Sequence, residues 1–155
     1  MSDAMGSLYQ ELILDLSRYP RNKGLQDGAD ASAHEINPTC GDEITLQVHL
    51  EGERISAIRW TGDGCAISQA SASILTDVAV GLTLGELQER IESFRTAMRS
   101  RGRIQPDEEL LGDAVALGGV SRYPARVKCA MLAWVAAESA LRGTGGASDE
   151  ASPVA

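Results

Sequence analysis

The chain has 155 residues, a net charge of −8 and 43% hydrophobic residues, ordinary values for one globular domain. That composition excludes a fibrous or wholly disordered chain, and no apolar run is long enough to span a bilayer. The acidic balance argues against nucleic acid as a partner, because a phosphate backbone repels it. The N-terminus has no basic stretch followed by an apolar one, so no secretory signal is expected. Three cysteines, an odd count, then point to a reducing, cytoplasmic setting and away from a disulfide framework.

Residues 2 to 18 read as a helix, with Leu8, Leu12, Ile13 and Leu16 at helical spacing and Pro20 ending it. Residues 20 to 33 are polar and predict an ordered or semi-ordered surface loop. Ile44, Leu46, Val48 and Leu50 alternate with polar residues, the pattern of a half-buried strand. Gly52 turns the chain into a second strand from Arg54 to Thr61, antiparallel to the first, and His34-Glu35-Ile36 supplies a short third strand. Gly62-Asp63-Gly64 breaks the hairpin, and Cys65 to Val80 predicts a helix of small residues stopped by Gly81. Thr83 and Glu86 have capping-box spacing for a helix through about Met98. A basic connection (99 to 106), a short helix from Asp107 to Leu117 and a last helix from Pro124 to about Leu141 follow. Residues 1–142 are expected to form the domain, and 143–155 a disordered tail. Strands grouped together and helices grouped together give an α+β fold, a small three-stranded antiparallel sheet with helices on one face.

Cys40 lies in the turn before the first hairpin strand, and Cys65 just after the second. An antiparallel hairpin brings these two thiols to one edge of the sheet. Cys129, near the start of the last helix, joins them if that end of the helix points the same way. Asp42, two residues after Cys40, can add a carboxylate, and three thiolates with one carboxylate suit tetrahedral Zn²⁺. Glycines on both sides of Asp63 let backbone come close there. The alternative is three buried apolar cysteines. Cys129 fits that alternative, whereas Cys40 and Cys65 fit it badly because Gly/Pro/Asp turns run over the surface. Spacing alone leaves a metal site, a reactive thiol and plain burial open, since no CxxC pair is present. His49 reads as a surface histidine. His34 could act as a base for a Cys40 nucleophile, but an oxyanion-hole motif and an orienting group are missing. Arg95, Arg99, Arg101 and Arg103 read as a solvated helix end, with an acidic docking partner as the sharper alternative.

Taken together, Asn37-Pro38-Thr39-Cys40-Gly41-Asp42, Gly62-Asp63-Gly64-Cys65-Ala66-Ile67-Ser68 and Arg126-Val127-Lys128-Cys129 resemble the iron–sulfur cluster scaffold-like family of IscU, SufU and the NifU N-terminal domain. Lys128 stands where the IscU-type branch has a histidine, and extra residues around Met98 to Gly112 match an insertion of the SufU branch. The SufU resemblance implies a zinc-dependent sulfurtransferase that accepts persulfide sulfur from a SufS-type cysteine desulfurase, a pyridoxal-phosphate enzyme. Downstream SUF cluster-assembly proteins would follow it, with no nucleic acid and no membrane involved. It further implies Cys40, Asp42, Cys65 and Cys129 as zinc ligands, Cys40 as the sulfur-accepting thiol and Arg126 as a supporting residue. An iron–sulfur assembly scaffold on the same cysteines is the alternative function.

Overall fold

Alternation in the central strand sets the architecture. In β2 (Asp42–Glu51), Ile44, Leu46 and Val48 are buried while Thr45, Gln47 and His49 are only half-buried. β2 pairs antiparallel with β1 (Ala31–Asn37) on one side and β3 (Arg54–Asp63) on the other, in the order β1-β2-β3. Ile55, Ile58 and Trp60 of β3 join the same buried face. The chain is known here from a computed structural model that describes residues 2–145.

The helices cover that face. The α2 helix (Ala66–Ala79) has mostly small residues and is buried along much of its length. Its small side chains let α5 (Pro124–Gly145) come close, and α5 lies across β1 and β2 with Ala130, Ala133, Trp134 and Ala137 buried. The α1 helix (Ser2–Arg18) packs on α2. The α3 helix (Leu84–Met98) opens with the expected capping box: Thr83 Oγ1 accepts from the Glu86 N–H, and Glu86 accepts from the Thr83 N–H. The α+β architecture expected from the sequence is the one observed. Among the described residues no helix is long and apolar enough to cross a membrane.

Four elements differ from expectation. The third strand is longer than His34–Ile36 and takes in residues 31 to 33, because Ala31 and Ala33 pair with Val48 and Leu46. The rest of the expected loop is tied down on the outer edge of β3. The Trp60 N–H donates to the Asn22 carbonyl and the Gly24 N–H to the Trp60 carbonyl, so that edge does not stay open. The expected helix from Asp107 to Leu117 is instead α4 (Glu108–Leu111) followed by a 3-10 segment, Gly112–Arg122. Gly112 at φ +55° breaks the α geometry between them. Finally, α5 runs past Leu141 to Gly145, so the first residues of the expected tail continue the helix, and 146–155 lie outside the described residues.

Candidate metal centre

The turn between β1 and β2 builds the first part of the site. Asn37 and Asp42 are register partners, so residues 38 to 41 must reverse the chain. The Asn37 carbonyl accepts from the Cys40 N–H (3.2 Å) and the Gly41 N–H (2.8 Å), and Asn37 Oδ1 accepts from the Thr39 N–H (3.2 Å). Gly41 sits at φ +76°, a conformation that favours glycine and lets the turn close. Cys40 is thereby held at the exposed tip, while Asn37 and Asp42 at the base are buried.

The end of β3 builds the second part. Glu43 pairs with Asp63, which places Gly64 and Cys65 beside Asp42. Cys65 occupies the N-cap position of α2 without a side-chain capping bond, and its backbone N–H donates to Asp42 Oδ1 at 3.2 Å. A Cβ on Gly64 would lie 2.2 Å from Ser68 Oγ and 2.9 Å from Asp42 Oδ1, so only glycine leaves room for that carboxylate. Asp42 is 2% exposed, and its other oxygen, Oδ2, is buried with no hydrogen-bond partner. A buried carboxylate oxygen left without a hydrogen-bond partner is costly and suits a bound cation.

Cys129 supplies the third part from α5. Its sulfur lies 3.4 Å from that of Cys40, well beyond the ~2.05 Å of a disulfide, and all three cysteines are free. Burial, together with contacts to Asp42, Cys40 and Cys65, pushes the Cys129 thiol well above the ordinary cysteine range. Ligand atoms of Cys40, Asp42 and Cys129 all lie within 4.8 Å of one another. Cys65 borders this group but stands outside it: its side chain is half-exposed, and it influences Cys129 without joining the close set. A soft-sulfur and carboxylate donor set around an unsatisfied oxygen fits a zinc-type ion.

Other expected residues fall elsewhere. Arg126 is exposed and has no ion pair or side-chain hydrogen bond among the described residues; it lines a groove with Tyr123 and Ile67. His34 Nε2 lies 2.9 Å from Glu43 Oε2, which occupies that nitrogen. His49 is half-buried beside Gln47, not a free surface group. Arg95 is not solvated either: its guanidinium meets the Glu138 carboxylate at 2.6 Å with both side chains about 15% exposed, 15% and 14% respectively.

Two buried residues escaped the sequence reading. Trp134 Nε1 donates to Ser71 Oγ (2.8 Å), and Ser71 Oγ donates to the Ala130 carbonyl (2.6 Å). Trp134 also stacks on Phe94, with ring centroids 4.2 Å apart. These contacts lock α2 to α5 and so fix the helices that carry Cys65 and Cys129. A serine among small residues and a tryptophan on an apolar face leave no spacing signal that would pair them.

Comparison with known proteins agrees with this fold. Residues 8–130 match the family model described as the NifU-like N terminal domain. The chain is 39% identical over 135 residues to the zinc-dependent sulfurtransferase SufU of Bacillus subtilis (strain 168), covering 86% of this chain and 89% of that one. It is 36% identical over 138 residues to the iron–sulfur cluster assembly scaffold protein IscU of Streptococcus pyogenes serotype M1, covering 89% of this chain and 85% of that one. The crystal structure of FiSufU from Fervidobacterium islandicum AW-1 superposes with a TM-score of 0.78 at 34% identity, over 84% of this chain and 94% of that one. The chain therefore belongs to the NifU-like N-terminal domain family, whose members include IscU and SufU proteins.

Proposed function

We propose that the chain is a zinc-dependent sulfur acceptor for a cysteine desulfurase of the SUF pathway, with Cys40, Asp42, Cys65 and Cys129 as the metal ligands. The observation that carries this reading is the pairing of one exposed sulfur, Cys40, with a buried thiol 3.4 Å away and a buried carboxylate whose Oδ2 has no partner. When bound, Zn²⁺ supplies positive charge that keeps the thiols ionised and neutralises Asp42.

The chain's own residues divide the remaining work. Asp42 is aimed by the Cys65 N–H, and Cys129 is fixed by the packing of α5. Cys40 has only the Asn37 turn behind it and faces solvent, so it is the thiol that a partner's persulfide reaches. The Cys40 thiolate attacks the outer sulfur of the partner's R–S–SH group. A new S–S bond forms at Cys40, the partner's S–S bond breaks, and its cysteine leaves as a thiolate. Charge is conserved and no external oxidant or reductant is needed.

The test is turnover of a cognate cysteine desulfurase with wild type and Cys40→Ala, with bound metal quantified in both. Wild type with stoichiometric zinc should accelerate turnover, and Cys40→Ala should leave the desulfurase at its unassisted rate. Equal stimulation by Cys40→Ala would contradict sulfur acceptance. Iron with visible charge-transfer absorption after anaerobic purification would favour the scaffold reading, under which the same thiols hold a cluster as cargo.

A further inference from the structure

Three exposed cations of this acidic chain line one groove beside the helix that carries Cys129. The 14 basic residues are outnumbered by 22 acidic ones, and several are neutralised locally: Arg21 by Asp77, Arg54 by Glu86, Arg95 by Glu138. Most of the other basic residues have no ion pair among the described residues, and what sets Arg99, Arg101 and Lys128 apart is that they line the same groove. All three are exposed, and none has an ion pair among the described residues. They rim one groove of about 400 Å³ between the end of α3 and the first turns of α5, with Met98, Val127 and Met131 among its apolar residues. Among the described residues, Arg101 is one of two non-glycine residues with positive φ, at +57°, followed by Gly102 at +88°. Such left-handed backbone is uncommon outside glycine and is associated with functional loops. The groove adjoins the sulfur site through the chain itself, since Lys128 precedes Cys129, whose sulfur lies 3.4 Å from Cys40.

We propose that this basic-rimmed groove is a docking surface for an acidic, apolar-anchored face of the persulfide-donating desulfurase. The inference rests on the sulfur-acceptor reading and adds a surface to it: Arg99, Arg101 and Lys128 recognise the partner by charge while Cys40 receives the sulfur. Charge complementarity selects a protein over the alternatives. The overall −8 charge repels a nucleic acid beyond the groove, whereas a protein partner needs only a local acidic face. Met98 and Met131 are buried beneath the groove and give it a packed apolar floor.

The experiment titrates a cognate desulfurase with the full chain at low and moderate salt and reads the concentration for half-maximal stimulation separately from the maximal rate. The variants are Arg99→Glu/Arg101→Glu, Arg99→Gln/Arg101→Gln, and a control with the same charge change elsewhere, Arg18→Glu/Arg90→Glu. The proposal predicts that Arg99→Glu/Arg101→Glu raises the half-maximal concentration about tenfold or more, keeps the maximal rate and flattens the salt dependence. The glutamine pair should show a smaller rise, and the control none. An unchanged half-maximal concentration in both groove variants overturns the docking surface while leaving sulfur acceptance standing. A fall confined to the maximal rate overturns it too, since that places the arginines in chemistry instead of recognition. Absence of stimulation by wild type overturns both readings. A single-stranded DNA probe that binds wild type and is lost in the groove variants, with the desulfurase titration unmoved, assigns the groove to nucleic acid and overturns the proposal.

Discussion

Cys40 and Cys129 place their sulfurs 3.4 Å apart yet live in opposite surroundings. Cys129 is 1% exposed and sits on a helix locked by the Ser71–Trp134 hydrogen bond and the Phe94–Trp134 stack. Cys40 is exposed at the tip of a four-residue turn held by bonds to Asn37. The same functional group is thus anchored in one place and presented in the other. A thiol that must hold a metal gains from the first setting, and a thiol that must meet another protein's sulfur needs the second. Asp42 stands between them, buried like Cys129 but contributed by the strand that follows the Cys40 turn.

The largest expected effect breaks the anchored side. Trp134→Ala removes a fully buried ring and should cost about 3–5 kcal/mol of stability in denaturant unfolding. It should lower zinc retention along with stability, because α5 carries Cys129. Asp42→Asn comes next. It keeps an acceptor for the Cys65 N–H but loses the negative oxygen, and should weaken zinc binding by more than the roughly 10–100-fold typical of an outer-shell change. Competition with a chromogenic chelator measures it. Gly64→Ala should reproduce much of that loss without touching a ligand, because its methyl occupies the space of the Asp42 carboxylate.

A smaller effect probes the presented side. Asn37→Ala keeps the backbone bonds of the turn but loses the side-chain bond to Thr39, a cost of about 1 kcal/mol. Thermal unfolding should move only slightly, while the rate of desulfurase stimulation changes more than zinc affinity does. The smallest expected effect is a pH limb. Burial raises the Glu138 carboxyl, but hydrogen bonds from Arg95 and Gln88 outweigh it, and its pKa lies below the ordinary glutamate value. The stabilisation is therefore present above the unfolded value of about 4.3 and is lost as pH falls from there through the lower folded value. Melting curves below neutrality should show this loss, and Glu138→Gln should flatten it.

Much of the anchored framework was legible in sequence because it rests on local rules. Period-two alternation located β2 and β3, and Thr83 with Glu86 located the start of α3. Hairpin geometry predicted Cys40 and Cys65 at one sheet edge, with Cys129 joining them only if its helix pointed that way, whereas the close group in the structure is Cys40, Asp42 and Cys129, with Cys65 at its border. The rest depended on contacts between distant segments. Arg95 looked solvated because Glu138, its partner, lies 43 residues away. The Asn22–Gly24 segment read only as a surface loop because its partner, the backbone of Trp60, lies far along the chain. The break of the predicted 107–117 helix at Gly112 is a backbone choice that apolar periodicity does not register.

The central claim is that Cys40, the exposed thiol, takes the sulfur and that Cys65 and Cys129 do not. The direct measurement is peptide mass analysis of the zinc-loaded chain after incubation with a cysteine desulfurase and cysteine, under trapping that preserves persulfides. One added sulfur atom on the peptide containing Cys40, with Cys65 and Cys129 unmodified, is the result predicted. Added sulfur on Cys129 or Cys65 in place of Cys40, or none while the desulfurase turns over faster, would contradict it.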